Sequence, residues 1–318
     1  MKKSLLRQEK GMVLLMVLVV VALLSALLTE FAFSTLVDLR LVETYRDSTR
    51  SYYLARGGVR AGQMILQEDQ NHYDARNELW GQGVANFPVG DEGVITIDIE
   101  DLDGRLAINA LVRGNNPEPV QRERLTRLFE HFDFDHPADM VAALIDWLDT
   151  DSETYDQDGA LGAESNYYQS LNPPYMARNG PLVSLDELAL VRGFTPEIVD
   201  RLRPHVTIYG NLRVNLNTAS PEVIATLYFD EDRRIFFEEA EAIAEARDLS
   251  PFETLEDFQR EFPGLWELFP TSAELTYSIT FRSDFYRIRS QAWVNDGTRT
   301  VTAVVGKRNN QIHSLRVD

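Results

Sequence analysis

The chain has 318 residues, 44% hydrophobic and 25% charged, which places it among folded globular proteins with room for two domains beyond any membrane segment. Its formal charge of −19 argues against a nucleic-acid partner, because an acidic body repels a polyphosphate. The absence of cysteine excludes thiolate metal sites and cysteine nucleophiles. His72, His131, His136, His205 and His313 form no His-x-x-x-His pair, there is no Gly-x-Ser-x-Gly, and nothing reads as a catalytic centre.

The first element is at the N-terminus. Met12 to Leu28 contains one weakly polar residue, Ser25, and no charge occurs until Glu30; a head with Lys2, Lys3, Arg7 and Lys10 against Glu9 precedes it. A helix rises about 1.5 Å per residue and a hydrocarbon core is about 30 Å thick, so this run, extended by Phe31 and Phe33, just spans a bilayer. The basic head is expected on the cytoplasmic side. Three processing schemes compete: a cleaved secretory signal, a plain signal anchor, and a prepilin-type signal cut between Gly11 and Met12. The first needs a small-x-small site closing the apolar run, and Ser34 after Phe33 offers only a poor one.

The third scheme leaves the apolar segment on the mature protein as the start of a longer helix, and no Gly or Pro interrupts the chain from Met12 until Gly57. Tyr45, Tyr52, Val59 and Leu66 recur at seven-residue intervals, with Leu41, Ser48, Ala55 and Gly62 four residues before each. The second row is mostly small, which lets another helix approach closely. The stripe can equally dock on the chain's own globular domain, and one helix can serve both uses.

A basic leader ending in Gly11, an apolar mature N-terminus, a long amphipathic continuation and Tyr52-Tyr53-Leu54-Ala55-Arg56-Gly57-Gly58 together resemble a type IV pilin-like protein. More narrowly, they resemble the K-type minor pseudopilins of type II secretion systems. Most other subunits of such filaments carry Glu at the fifth mature position, where this chain has Met16. A carboxylate at bilayer depth costs about 2.5–3.5 kcal/mol on insertion scales, so it is kept where it meets a partner charge. The resemblance implies that the partner is the N-terminal amine of the adjoining subunit, and that a subunit lacking the acid suits the filament tip.

Ile95, Ile97 and Ile99 alternate with Thr96, Asp98 and Glu100, the pattern of a strand with one buried face. Asp103-Gly104 supplies a turn before Leu106–Asn109, which predicts a hairpin. From Pro117 the periodicity is helical, and strands return over Thr276–Phe281, Tyr286–Val294 and Thr298–Val305, the last two joined by Asn295-Asp296-Gly297. The tail from Gly306 is polar and expected to fray. The fold class predicted is α+β: a pilin-like long helix on an antiparallel sheet, with a large inserted all-α domain. Its divisions are a leader over 1–11, a transmembrane half-helix over 12–33, the amphipathic helix and first strands over 34–112, the insertion over 113–272, and the last strands and tail over 273–318.

Within the insertion, Thr195-Pro196-Glu197, Ser220-Pro221-Glu222 and Ser250-Pro251-Phe252-Glu253 each have the chemistry of a helix start, which predicts helical hairpins in series. Val214–Ala219 also resembles the opening of a helix-hairpin-helix module, but its acidic flanks, with Glu222, Asp230 and Glu238 among them, are unsuited to DNA phosphates.

The stretch Asp146–Glu164 holds seven acids and no Lys or Arg. Carboxylates at that density repel unless they are solvated or hold a cation, and hard oxygen donors without His or Cys favour Ca²⁺. An EF-hand is excluded, because from Asp149 the sixth position is Thr154 and no Glu stands at the twelfth. Asp-Trp-Leu-Asp-x-Asp from Asp146, Gly162-Ala163-Glu164, Tyr167-Tyr168, Pro174-Tyr175 and Asn179-Gly180-Pro181-Leu182 match the K-type pattern. The resemblance implies calcium in this domain, with Asp149, Asp151 and Glu164 as ligands and Asp146 and Asp158 as further candidates. It departs at Ser165 and Asn166, where the family usually has an acid after Gly-Ala-Glu, so one ligand is replaced or supplied by a carbonyl.

The resemblance thus implies a non-enzymatic, single-pass inner-membrane protein with its bulk in the periplasm. It would be cut by prepilin peptidase, start and cap the type II secretion pseudopilus with I-type and J-type minor pseudopilins, contact other pseudopilus subunits and bind no nucleic acid. The alternatives are a minor pilin of a type IV pilus and a membrane-anchored periplasmic calcium-binding adhesion or receptor domain.

Overall fold

The computed structural model describes residues 5–91, 93–230, 233–266 and 277–318. Helix α1 runs unbroken from Leu5 to Glu68, as the lack of Gly and Pro between Met12 and Gly57 predicts, and it continues through Gly57, Gly58 and Gly62. Its Met12–Leu28 segment is exposed along its whole length, and it is the one described helix long and apolar enough to cross a membrane.

The C-terminal half of α1 lies on a five-stranded antiparallel sheet. In chain order the strands are β1 (Val84–Val89), β2 (Gly93–Asp101), β3 (Phe285–Val294), β4 (Gly297–Gly306) and β5 (Ile312–Val317), and they neighbour one another in that same order. Ile95, Ile97 and Ile99 point to the helix side, where Ala55, Val59, Leu66, Tyr286, Ile288, Val301 and Ala303 complete the core. Tyr52 is partly buried against this core, whereas Tyr45 is 76% exposed, so the heptad stripe docks on the chain's own sheet from Tyr52 onward only. Gly58 and Gly62 allow the close approach: a Cβ on Gly58 would run into Ser290 and Ile95, and one on Gly62 into Ile288.

β2 and β3 are adjacent and in register from Asp101↔Tyr286 to Gly93↔Val294, yet some 180 residues separate them in the chain. That intervening chain is the inserted domain, with its own core built on α2 (Pro119–His131) and α3 (Pro137–Leu148), including Leu125, Leu128, Phe129, Leu144 and Ile145. Asp47 of α1 packs against Gly297 at the β3–β4 turn, and Gln63 reaches Asn310. The helix therefore climbs the sheet from that turn, and the insertion leaves from the end farther from the membrane segment.

Four expectations are corrected. Leu106–Ala107 pairs in parallel with Val206–Thr207 and does not fold back on β2, because the chain has already entered the second domain. The strand expected over Thr276–Phe281 starts outside the described residues; within them only Ile279–Thr280 is strand, and it joins Val214–Asn215 rather than the main sheet. The tail is the edge strand β5, paired to β4 from Val301↔Val317 to Val305↔Ile312. Thr195 and Ser220 cap helices at Pro196 and Pro221, but Ser250 ends the helix Phe237–Leu249, and the next one, Leu255–Glu261, starts at Thr254 with Asp257 closing a capping box.

Candidate metal centre

The acidic loop begins where α3 stops. Buried on nearly every side, α3 carries Asp146 into the interior at its last turn, and Asp149 is its C-terminal cap in extended conformation. The loop returns through a small hairpin, Asp156–Gln157 with Ala160–Leu161, to Glu164, the N-cap of the helix α4 (Ser165–Gln169). One carboxylate oxygen from each of Asp149, Asp151 and Glu164 lies within 4.8 Å of the others. Asp149 is 5% exposed, Glu164 3% and Asp146 0%, which is deep burial for uncompensated acids.

The hydrogen bonds leave oxygens over. Asp146 Oδ1 accepts from Tyr155 N at 2.8 Å, and Glu164 Oε2 from Ser165 N at 3.0 Å. Asp146 Oδ2, Asp149 Oδ1 and Glu164 Oε1 are buried with no donor. Burial, then repulsion from Asp151, Asp146 and Glu164, pushes Asp149 up to about 7; burial, then Glu164, does the same for Asp146. Burial and then Asp151 also raise Glu164. Hard oxygens from three points, orphaned in a pocket that penalises their charge, fit a cation that prefers oxygen ligands.

Asp158 lies elsewhere. It sits at the hairpin tip with φ +56°, is exposed, and pairs with Arg122 at 2.9 Å, so the structure separates it from the other acids. Behind the loop, Trp147, Tyr168 and Tyr175 form an aromatic layer, with Trp147 edge-on to Tyr168 at 5.1 Å and Tyr168 stacked on Tyr175 at 5.2 Å. Gly180 N donates to the Trp147 carbonyl, which explains physically why the Tyr-Tyr, Pro-Tyr and Asn-Gly strings accompany the acids.

A second acidic group, Asp69, Asp74 and Glu78, already holds a cation of the chain's own: Lys307 Nζ lies 2.7 Å from Asp69 and 2.5 Å from Asp74. It belongs to the joint between the two domains, which sequence reasoning missed. There Asp101 Oδ2 accepts from Thr218, Ser283 and Asn215, Asp103 Oδ2 from the backbone of Asp284 and Phe285, and Asp74 Oδ2 from Ser283 N. Burial pushes Asp101 up to about 6 and, with repulsion from Asp101, Asp103 to about 7. The only sequence signal was Asp-Leu-Asp-Gly, which also spells a turn.

A long apolar-to-amphipathic helix on an antiparallel sheet, with a mainly helical domain that also holds short strand pairs inserted between its second and third strands, defines a pilin-like subunit. Two family models described as "Type II secretion system (T2SS), protein K" match residues 104–211 and 214–271, together just over half the chain. Curated proteins named type II secretion system protein K are similar along most of their length. That of Pseudomonas aeruginosa is 25% identical over 94% of this chain and 89% of its own, and that of Klebsiella pneumoniae 28% identical over 76% of each. The fold matches a chain in the crystal structure of the GspK-GspI-GspJ complex of the enterotoxigenic Escherichia coli type 2 secretion system. The TM-score is 0.69 at 17% identity, over 87% of this chain and 99% of that one. The chain belongs to the protein K family of type II secretion systems, the K-type pseudopilins.

Proposed function

We propose that this protein is the tip subunit of the type II secretion pseudopilus, which starts assembly with I-type and J-type minor pseudopilins and caps the growing end. The observation that carries the reading is the place of the insertion. It leaves the sheet beyond Asp101 and Phe285, the end away from the membrane helix, so it stands where the next subunit of a head-to-tail filament would have to stack. Met16 supports the same position, since a top subunit needs no acid for an amine above it. The fold match to a member of the GspK-GspI-GspJ complex supports the choice of partners.

In this reading prepilin peptidase cuts between Gly11 and Met12, the segment from Met12 anchors the protein in the inner membrane, and the two domains face the periplasm. The exposed face of α1, with Leu41, Val42 and Tyr45, receives the partner helices. Ca²⁺ binds through Asp149, Asp151 and Glu164, with Asp146 behind them. Its role is structural: it closes a loop too long to hold itself and relieves the repulsion of buried carboxylates. Co-expression of the full chain with I-type and J-type partners, followed by detergent extraction and mass measurement, is expected to give a complex with one copy of each. Recovery of this chain free of both would contradict the proposal.

A further inference from the structure

We infer that two asparagines outside the acidic loop belong to its cation site: Asn179 as a neutral ligand, and Asn115 as the residue that positions Asp151. The inference rests on the calcium reading of the loop and extends it to two other segments of the domain.

Asn115 stands in the tight turn between Val112–Arg113 and Asn116–Pro117, where Gly114 at φ +67° reverses the chain. Its Nδ2 donates to Asp151 Oδ2 at 3.0 Å, while its Oδ1 accepts from Thr150 N at 3.3 Å and from Thr150 Oγ1 at 2.5 Å. A surface amide more than thirty residues away thus grips two consecutive loop residues. Asp151 Oδ1 is held by Glu153 N at 2.9 Å, so each oxygen of this carboxylate has one donor and its plane is fixed. Each oxygen still has a second lone pair for a cation. A donor of this kind, bound to a ligand rather than to the metal, sets ligand orientation and contributes to metal affinity.

Asn179 reaches the loop through the backbone of Asp151. Its backbone is left-handed, φ +50°, a conformation asparagine tolerates, and the Gly180 N bond to the Trp147 carbonyl at 3.3 Å fixes the turn beneath it. Nδ2 donates to the Asp151 carbonyl at 2.6 Å, and Oδ1 is buried with no donor. The amide cannot be reversed, because that would set Oδ1 against the Asp151 carbonyl oxygen at the same 2.6 Å, acceptor against acceptor. Asn179 Oδ1 therefore joins Asp149 Oδ1 and Glu164 Oε1 as a buried oxygen in want of a cation. A carbonyl dipole raises the coordination number without adding a fourth repelling charge to Asp149, Asp151 and Glu164, which suits an ion that takes six to eight oxygens.

The test uses the full chain in detergent, with Tb³⁺ as a luminescent probe and Ca²⁺ as its competitor. Luminescence lifetimes in H₂O and D₂O count the waters bound to the ion. N179A is expected to gain one bound water and to bind Ca²⁺ about 10- to 100-fold more weakly, while N179D keeps the wild-type water count. N115A is expected to lose about tenfold in Ca²⁺ affinity with no change in water count, and with the wild-type melting temperature in chelator. Wild-type water count and affinity in N179A would overturn the ligand role, and an affinity loss in N115A matched by a lower melting temperature in chelator would overturn the positioning role. If the wild-type protein binds no Tb³⁺, or D149A binds it unchanged, the calcium reading fails first and this inference with it.

Discussion

Asp146 and Asp149 give the acidic loop opposite pH responses with and without a cation. In chelator both are pushed up to about 7, Asp103 likewise, and Asp101 to about 6. Each folded value lies above the 3.8 of an unperturbed aspartate, so the folded state holds protons that the unfolded chain releases. The stabilisation from these groups is complete below about pH 4 and lost as pH rises through 6 to 7. Ca²⁺ displaces protons from the loop carboxylates, so its binding strengthens over the same window by up to about 1.4 kcal/mol per pH unit for each proton displaced. The melting temperature in calcium minus that in chelator is therefore expected to widen from pH 5 to about pH 7 and to level off above it. A difference independent of pH would mean that the loop carboxylates do not hold the ion. The acids themselves were legible in the sequence, because seven carboxylates without a counter-cation is a composition signal. Which of them converge was not: Asp158 is separated by a left-handed hairpin tip and by Arg122, and Asn115 and Asn179 reach the loop only through tertiary contacts.

The element that most constrains the molecule is α1, and two adjacent glycines show how. Gly58 faces the sheet, where any side chain would meet Ser290 and Ile95, whereas Gly57 has open space around its Cβ position. Gly58→Val is expected to cost about 1–3 kcal/mol through overpacking, lowering the melting temperature by several degrees. Gly57→Ala should be neutral or stabilising by up to about 1 kcal/mol, since alanine is the better helix former. Equal effects in scanning calorimetry would mean that the helix does not sit on the sheet in this register. The long elements were readable from periodicity: α1 from its lack of breaks, β2 from its isoleucines, and β3 and β4 from the Asn-Asp-Gly turn between them. β5 was not, because an edge strand with an almost wholly exposed sequence has no buried face to impose alternation. The pairing of Leu106–Ala107 with Val206–Thr207 was not either, since two residues are too few to carry a period. The start expected at Ser250 failed because Thr254 and Asp257 offered a better cap four residues later.

At the scale of the whole molecule, the membrane helix and the insertion sit at opposite ends of one sheet, and hydrogen bonds among Asp74, Asp101, Asp103, Asn215 and Ser283 join the insertion to that sheet. The anchor half of α1 is exposed throughout, as a segment bathed in lipid or in partner helices should be. Intact mass of the membrane-extracted protein, made together with its prepilin peptidase, is expected to correspond to a chain starting at Met12. An uncut Met1 would leave a plain anchor and remove the basis for filament entry. The central claim, that the insertion restricts this subunit to the end of the pseudopilus, is tested most directly by gold-labelling a tag on the inserted domain and imaging assembled pseudopili by electron microscopy. Label at one end of each filament is the predicted result; label distributed along the filament length would contradict the account.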